Sequence, residues 1–336
     1  MLIRIGAWWT AATRTSAHSN VIGLARTMLG LATLGTLLAD PSRILFVATD
    51  PKVSGLAAQC TGASGLGLFC VLPSVAGAQW LAIGVLLLVV VGWRPRWTAL
   101  PHWYIAFSLQ ANATVIDGGD QITAVVTLLL IPICLADGRR WHWDKPSVGE
   151  VAGLPYVGRF VTLVFLFLIQ CQVGLLYFDA GVAKFGVQQW ADGTAMYYWL
   201  HDPTFGLNSW QLWLFRPVLE HGLLLTAFTW SVVLGEVLLG VGVLLPWRRR
   251  KPLLAAALVF HCGIALLMGL VTFGLSMMAV DILAYRDVHD EFSFGLIRRA
   301  VRRWRPKPGE GRPSADPAAR ADTPAVVGAA EVLSDH

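Results

Sequence analysis

The sequence YFDAGVAKFGVQQWADGTAMYYWLH, residues 177–201, follows directly on an apolar run at 160–176. Where that run ends, the chain acquires an aspartate, a lysine, a Gly-Thr-Ala step and several aromatic residues. Ionisable side chains at the end of a membrane span are costly and often functional. On a helix, Tyr177 and Lys184 would share one face, two turns apart. An interfacial aromatic belt with a lysine that reaches the headgroups is the alternative interpretation.

The composition predicts an all-α, polytopic transmembrane helical bundle. Of the 336 residues, 55% are hydrophobic and 14% are charged, whereas an average soluble domain carries roughly 25% charged residues. A span needs roughly 20 apolar residues, and the chain offers about eight such runs. We place them at 21–39, 75–92, 98–116, 121–136, 160–183, 221–245 and in the two parts of 253–285, which we divide at 272–274.

Arginine and lysine residues predict that both termini are cytoplasmic. They cluster in the loops at 93–96, 137–159 and 248–251 and in the tail at 298–307. Eight spans place all of these clusters on one side, which the positive-inside rule assigns to the cytoplasm. We therefore expect a multi-pass plasma-membrane protein embedded in the lipid bilayer. The net charge of +5 is explained by these loops, so no nucleic-acid partner is expected.

The charge pattern also suggests three parts of the chain. They are a cytoplasmic or interfacial N-terminus at 1–20, a transmembrane domain at 21–286 and a cytoplasmic tail at 287–336. The end of the tail is rich in Pro, Ala, Gly and acidic residues, which predicts disorder.

Ionisable side chains at the outer ends of the spans are candidate catalytic groups. Asp117 and Asp120 flank two glycines before the fourth span, while Tyr177 and Lys184 end the fifth. These positions share a depth, so an aspartate could pair with Lys184 or act as a base. An exposed turn between two helices is the alternative for the Asp-Gly-Gly-Asp sequence.

Further ionisable residues fall inside the predicted spans. Glu236 and His261 each lie about halfway along a span, so a hydrogen-bonded pair is feasible, either for handling protons or for fixing helix packing. Asp281 could pair with Arg26, and we expect that pair to be structural.

The five cysteines show no spacing typical of a metal site. Cys60 and Cys70 lie in a predicted outer loop, an oxidising location where a disulfide is expected to form. Cys134, Cys171 and Cys262 lie in apolar runs and are expected to be small buried hydrophobic residues.

The chain resembles a known family in three places. The sequence at 177–200 is similar to the central motif of the HTTM (horizontally transferred transmembrane) domain, and 260–283, FHCGIALLMGLVTFGLSMMAVDIL, resembles its histidine-containing helix. The turn DGGDQI at 117–122 resembles the sporulation-delaying protein B branch of bacterial peptide-toxin systems. The resemblance covers about residues 21–285.

A distant relative of that domain is the vitamin K-dependent gamma-carboxylase, in which the motif lysine acts as the base toward the vitamin. The resemblance implies the same role for Lys184, with Trp190, Gly193, Tyr197 and Tyr198 as substrate-binding residues. A desolvated lysine amine suits that role, because it gives up its proton more readily and can then accept another. We find no counterpart here of the carboxylase's large soluble domain or of its Asn-Asn-His sequence, so carboxylation is not expected.

Three functions remain open. The resemblance favours a protein that assists the maturation, modification or export of a secreted peptide toxin, with a peptide precursor and a membrane-associated protein as partners. A quinone- or lipid-using membrane enzyme is the second hypothesis. A transporter or immunity protein without covalent chemistry is the third, although we find no internal repeat typical of transporters.

The charge pattern leads to a test of the topology. Single cysteines at Gln188 and Arg249, in a background without the other free thiols, should be labelled from opposite sides of sealed vesicles. Labelling of both positions from the same side would contradict eight spans with this orientation.

Overall fold

A computed structural model describes residues 18–46, 58–145, 153–287 and 290–291. The expected interfacial segment lies almost entirely outside these residues, as do the basic tail at 298–307 and the chain's C-terminal end. In the described residues the fold is helical, and two isolated residues, Trp93 and Trp141, form the one β-bridge. The predicted helical bundle is therefore confirmed.

Nine helices of eleven or more residues form the described bundle. They are α1 (Asn20–Ala39), α2 (Val75–Val91), α3 (Pro95–Asn112), α4 (Gly118–Leu135), α5 (Leu154–Ala183), α6 (Ser209–Leu219), α7 (Gly222–Gly242), α8 (Trp247–Leu267) and α9 (Val271–Tyr285). Short α-helices cover Ser42–Leu45, Leu68–Val71, Gln188–Ala191 and Ala195–Leu200, and 3₁₀ turns cover Gly62–Leu66 and Lys184–Gly186.

Each of the eight predicted spans coincides with one helix, with shifted boundaries. α5 starts at Leu154, before the predicted start at 160. The break between α8 and α9 falls at 268–270 and not at 272–274, because Gly269 has a φ of +72° and ends the helical run there. In the described residues five helices, α1, α4, α5, α7 and α8, are long and apolar enough to cross a membrane, and α2 and α9 are shorter apolar helices. The count of eight spans stays a prediction.

The central core lies where α1, α4, α5 and α9 meet. Ala25, Val126, Ile169 and Val280, one from each of these helices, are fully buried there. A second cluster joins α1, α2 and α3. A third, smaller cluster joins the loop after α5 to α6 and α7 and includes Leu200 and Leu225.

One end of the bundle is closed by a disulfide. Cys60 and Cys70 are joined, with their Cα atoms 5.8 Å apart. Asn112, the last residue of α3, holds this loop by donating from Nδ2 to the carbonyl oxygens of Gln59, at 3.0 Å, and Ser64, at 2.7 Å. The loop is therefore fixed to the end of α3 as well as by its own covalent bond.

Several arginines lie together at the other end of the bundle. The Arg94 amide donates to the Arg140 carbonyl at 2.8 Å, and Arg96 Nε donates to the Leu135 carbonyl at 2.8 Å. The loops after α2 and α4 therefore lie at the same end, as the charge pattern predicts.

The free cysteines differ in their surroundings. Cys134 is buried, as expected, and Cys171 is half-buried. Cys262 is exposed, so the expectation that it is buried is wrong. It lies on α8, whose side chains are mostly outside the packed interior, so an apolar residue there has the bilayer and not the protein core as its surroundings.

Helices α5 and α7 pack in antiparallel fashion and unusually closely. A Cβ atom on Gly240 would lie 2.7 Å from the Phe178 amide nitrogen, and one on Gly174 would lie 3.2 Å from the Gly240 carbonyl oxygen. Small residues allow this approach of two backbones. The close packing places Lys184, at the end of α5, against the middle of α7.

We expect Gly240→Ala to destabilise the protein by about 1–3 kcal/mol, because the new methyl group meets backbone atoms that cannot move aside. Gly235→Ala on the same helix is the matched control, since a Cβ there meets nothing within 4 Å. Thermal unfolding of both purified variants measures the difference. An equal unfolding midpoint for the two would contradict the close α5–α7 contact.

Candidate functional site

Residues 177–201 do not continue as one helix. α5 ends at Ala183, and a 3₁₀ turn at Lys184–Gly186 leads into the short helices Gln188–Ala191 and Ala195–Leu200. This segment lies along the first half of α7, because the Met196 amide donates to Thr229 Oγ1 at 3.4 Å. The segment that follows α5 therefore packs against α7.

Lys184 forms an ion pair with Glu236 of α7. The distance from Lys184 Nζ to Glu236 Oε2 is 2.6 Å, and Nζ also donates to the Ala180 carbonyl at 3.1 Å. The ring of Trp190 covers the ammonium group, with Nζ 5.2 Å from the ring centre. The two charged side chains are only 20% and 11% exposed, so the rest of the protein covers most but not all of the pair.

Tyr177 belongs to a second, fully buried cluster. Its hydroxyl donates to Asp281 Oδ1 at 2.6 Å and lies 2.7 Å from His261 Nε2. His261 Nε2 is 3.7 Å from Asp281 Oδ2. The hydroxyl thus joins α5 to α8 and α9 in the interior of the bundle.

These contacts correct two sequence-based pairings. Glu236 bonds Lys184 and not His261, because His261 faces Tyr177 and Asp281. Asp281 bonds Tyr177 and not Arg26, whose Nη2 donates to Thr98 Oγ1 at 2.7 Å. The physical reason is helix rotation and register, which place each buried group beside a partner on a neighbour that spacing along the chain does not identify.

The possible pairing of Lys184 with an aspartate of the Asp-Gly-Gly-Asp turn does not form either, because Lys184 pairs with Glu236. Asp117 caps α4 by accepting from the amides of Gly119, at 2.7 Å, and Asp120, at 3.0 Å. Asp120 accepts in return from the Asp117 amide at 3.3 Å. This reciprocal capping box provides hydrogen-bond partners for the first amides of α4. The two aspartates therefore have the structural role in a turn that the sequence analysis gave as the alternative.

The expected substrate-binding residues lie along the segment after Lys184. Trp190 contacts Lys184. Gly193 has a φ of +81° and packs against Thr226. Tyr197 and Tyr198 are 42% and 59% exposed, so both rings are available to a ligand that approaches this surface.

Charged groups at the arginine end have a different arrangement. Burial, together with the charges of Arg26 and Arg139, lowers the pKa of His142 to about 3. Burial alone would raise the pKa of Asp137, but its hydrogen bonds and ion pair with Arg139 hold that pKa below its usual range. His142 is therefore neutral and Asp137 ionised at neutral pH, as expected of structural contacts.

A bound metal or cofactor would have few places in the described residues. No group of three or more His, Cys, Asp or Glu side chains is placed there to hold a metal ion. An apolar groove of about 390 Å³ lies between α2 and α3, away from Lys184. Its lining residues are Leu68, Leu81, Val85, Leu100, Pro101, Trp103, Tyr104 and Ile105.

Asp281 is the site residue whose place the sequence analysis missed. Its expected role was a structural contact with Arg26, yet it completes the cluster around Tyr177. The sequence feature that could have identified it is its position as the one acidic residue in α9. An unpaired carboxylate within an apolar span is energetically unfavourable, so a buried partner is expected.

Two relatives from Bacillus subtilis (strain 168) align with most of the chain. The uncharacterized protein YitO is 35% identical over 297 residues, which are 87% of this chain and 93% of the relative. The sporulation-delaying protein SdpB is 34% identical over 279 residues, which are 82% of this chain and 83% of the relative. No family model and no solved structure matches the chain. With such identity over most of both relatives, the chain belongs to the family that includes YitO and the sporulation-delaying protein SdpB.

Proposed function

We propose that this plasma-membrane protein assists the maturation, modification or export of a secreted peptide toxin, with Lys184 as the base of an outward-facing site. Membership of the family of a sporulation-delaying protein supports the biological setting. The observation that carries the chemical part is the shielded Lys184–Glu236 pair beneath Trp190. The partners would be a peptide precursor and a membrane-associated protein.

The pair offers a way for Lys184 to become a base. A carboxylate 2.6 Å from Nζ can take the ammonium proton when water is excluded, because both charged forms are disfavoured in an apolar site. The products are a neutral amine and a neutral carboxylic acid, and the amine can then accept a proton from a substrate. Closure of a substrate over Trp190 would exclude that water.

The exposed aromatic surface next to the pair supports a peptide substrate. Tyr197 and Tyr198 lie on the short helix that follows Trp190, and exposed tyrosines provide contact area for peptides at low entropic cost. Their hydroxyl groups can also bond a peptide backbone. A peptide lying on these rings would bring one side chain or its backbone to Trp190 and Lys184.

The resemblance to the HTTM domain adds to the case for a base at Lys184. A quinone- or lipid-using enzyme is the second candidate, and the apolar groove between α2 and α3 favours it. Neither Lys184 nor Glu236 lines the groove. A quinone or lipid bound there would therefore have to move to the Lys184–Glu236 pair in order to react. Solvent extraction of the purified protein, followed by mass spectrometry for quinones, tests this candidate.

The first test compares the peptides secreted by the native strain with and without this protein, using mass spectrometry. Loss of a mature secreted peptide, with its unprocessed or unmodified precursor retained, is the expected result. An unchanged peptide profile would contradict the proposal, and in that case increased sensitivity of the strain to its own toxin would favour an immunity role.

We expect Lys184→Arg to accumulate normally in the membrane but to abolish formation of the mature peptide. Arginine keeps the positive charge and the pairing with Glu236, but it does not give up its proton in proteins. The matched control is Lys251→Arg, because Lys251 also lies 5.2 Å from a tryptophan ring centre, that of Trp247, and plays no part in the site. Full activity of Lys184→Arg would leave only an anchoring role for the lysine.

A second pair of variants separates stability from activity. Glu236→Gln should lower the unfolding midpoint, because it leaves the shielded Lys184 ammonium group without its counter-charge. Lys184→Met combined with Glu236→Gln should recover most of that loss, since both charges are then absent, yet remain inactive. Activity in the double variant would show that neither charged group takes part in the reaction.

A further inference from the structure

The buried cluster of Tyr177, His261 and Asp281 has a directional hydrogen-bond order. Because the Tyr177 hydroxyl gives its hydrogen to Asp281 Oδ1, at 2.6 Å, its oxygen can only accept from His261 Nε2, at 2.7 Å. The imidazole therefore carries a hydrogen on Nε2. The order runs from imidazole N–H to tyrosine O–H to carboxylate, which is donor to acceptor at each step.

We propose that these three side chains form a proton relay that passes one proton between His261 and Asp281 through the Tyr177 hydroxyl. In one direction, the Nε2 proton of a His261 imidazolium moves to the tyrosine oxygen while the tyrosine proton moves to Asp281. A neutral imidazole, an unchanged tyrosine and a neutral carboxylic acid result. No proton is gained or lost by the cluster, and the reverse step restores the starting state.

The surroundings explain why a proton would be held here. His261 is 2% exposed and Asp281 is not exposed at all, and a lone charge at such a site is very costly. A shared proton lets the cluster exchange an ion pair for two neutral groups without moving any heavy atom. A purely structural contact between these helices would need only one donor and one acceptor, whereas this cluster has two ionisable ends joined by a hydroxyl.

Other polar groups lie on the helices that pack around the relay, α7, α8 and α9. Glu236 of α7 interacts electrostatically with the Tyr177 hydroxyl and bonds Lys184. Toward the arginine end, Tyr285 of α9 donates to the Leu239 carbonyl at 2.8 Å and interacts electrostatically with Arg250 of α8. Among the described residues, Glu236 and Tyr285 are the ionisable groups outside the cluster whose charge interacts with the Tyr177 hydroxyl.

When it starts from a neutral His261 and an ionised Asp281, the cluster can also take up one proton, and it would then be a store for the proton that Lys184 removes from a substrate. Only this use of the store depends on the proposed function. The relay itself is a property of the folded protein and can be measured without any substrate.

Infrared spectroscopy of the purified full chain in lipid nanodiscs tests the relay. At some pH within the range in which the protein stays folded, the spectrum should contain a carboxylic acid C=O band that is lost in Asp281→Asn. On transfer to D₂O this band should shift as the buried carboxyl exchanges its proton, and Tyr177→Phe should slow that shift by about tenfold or more, as for a barrier raised by about 1.4 kcal/mol.

The matched control is Tyr104→Phe, which also removes a hydroxyl that donates a hydrogen bond, here to the Leu66 carbonyl at 2.8 Å, outside the cluster. It should exchange at the wild-type rate.

If Tyr177→Phe does not fold, His261→Gln replaces it, because loss of the imidazole breaks the same path at its other end. Exchange as fast as wild type in the folded variant, or no acid band lost in Asp281→Asn at any pH, would overturn the relay. If the infrared test contradicts the relay but Lys184→Arg still loses the mature peptide, the proposed function stands without the relay.

Discussion

One hydroxyl group, that of Tyr177, holds three helices of the bundle in register. It bonds Asp281 on α9 and His261 on α8 from its place on α5. In an apolar interior each of these polar groups is strongly destabilising unless it is bonded. The three helices can therefore slide or rotate relative to one another only by breaking this contact.

The close approach of α5 and α7 extends the same constraint to a fourth member of the bundle, helix α7. Gly174 and Gly240 allow the two backbones to lie close together, and Lys184 consequently reaches Glu236 in the middle of α7. A bulkier residue at either glycine would separate the helices and weaken the ion pair. The geometry of the candidate site thus follows from packing that occurs about one to three helical turns away from it.

The two polar clusters differ in how completely the protein covers them, and this difference suggests different roles. Lys184 and Glu236 are mostly but not fully covered, with exposed tyrosines nearby. Tyr177, His261 and Asp281 are closed off completely. In the proposed function a substrate therefore meets the first cluster, while the second takes part through protons.

The sequence by itself determined the class of fold and the position of nearly every long helix. Each span needs a run of apolar residues, and such a run can be recognised directly in the sequence. It also identified Lys184, Tyr177, Glu236 and His261 as residues of interest, since ionisable groups are rare in such runs. The partners of these residues were decided only by the tertiary structure. Glu236 and His261 lie at similar depth, yet they face different neighbours, because helix rotation and the glycine contacts between α5 and α7 are set by packing among segments far apart in the chain. For the same reason Asp281, an expected partner of Arg26, is a member of the Tyr177 cluster.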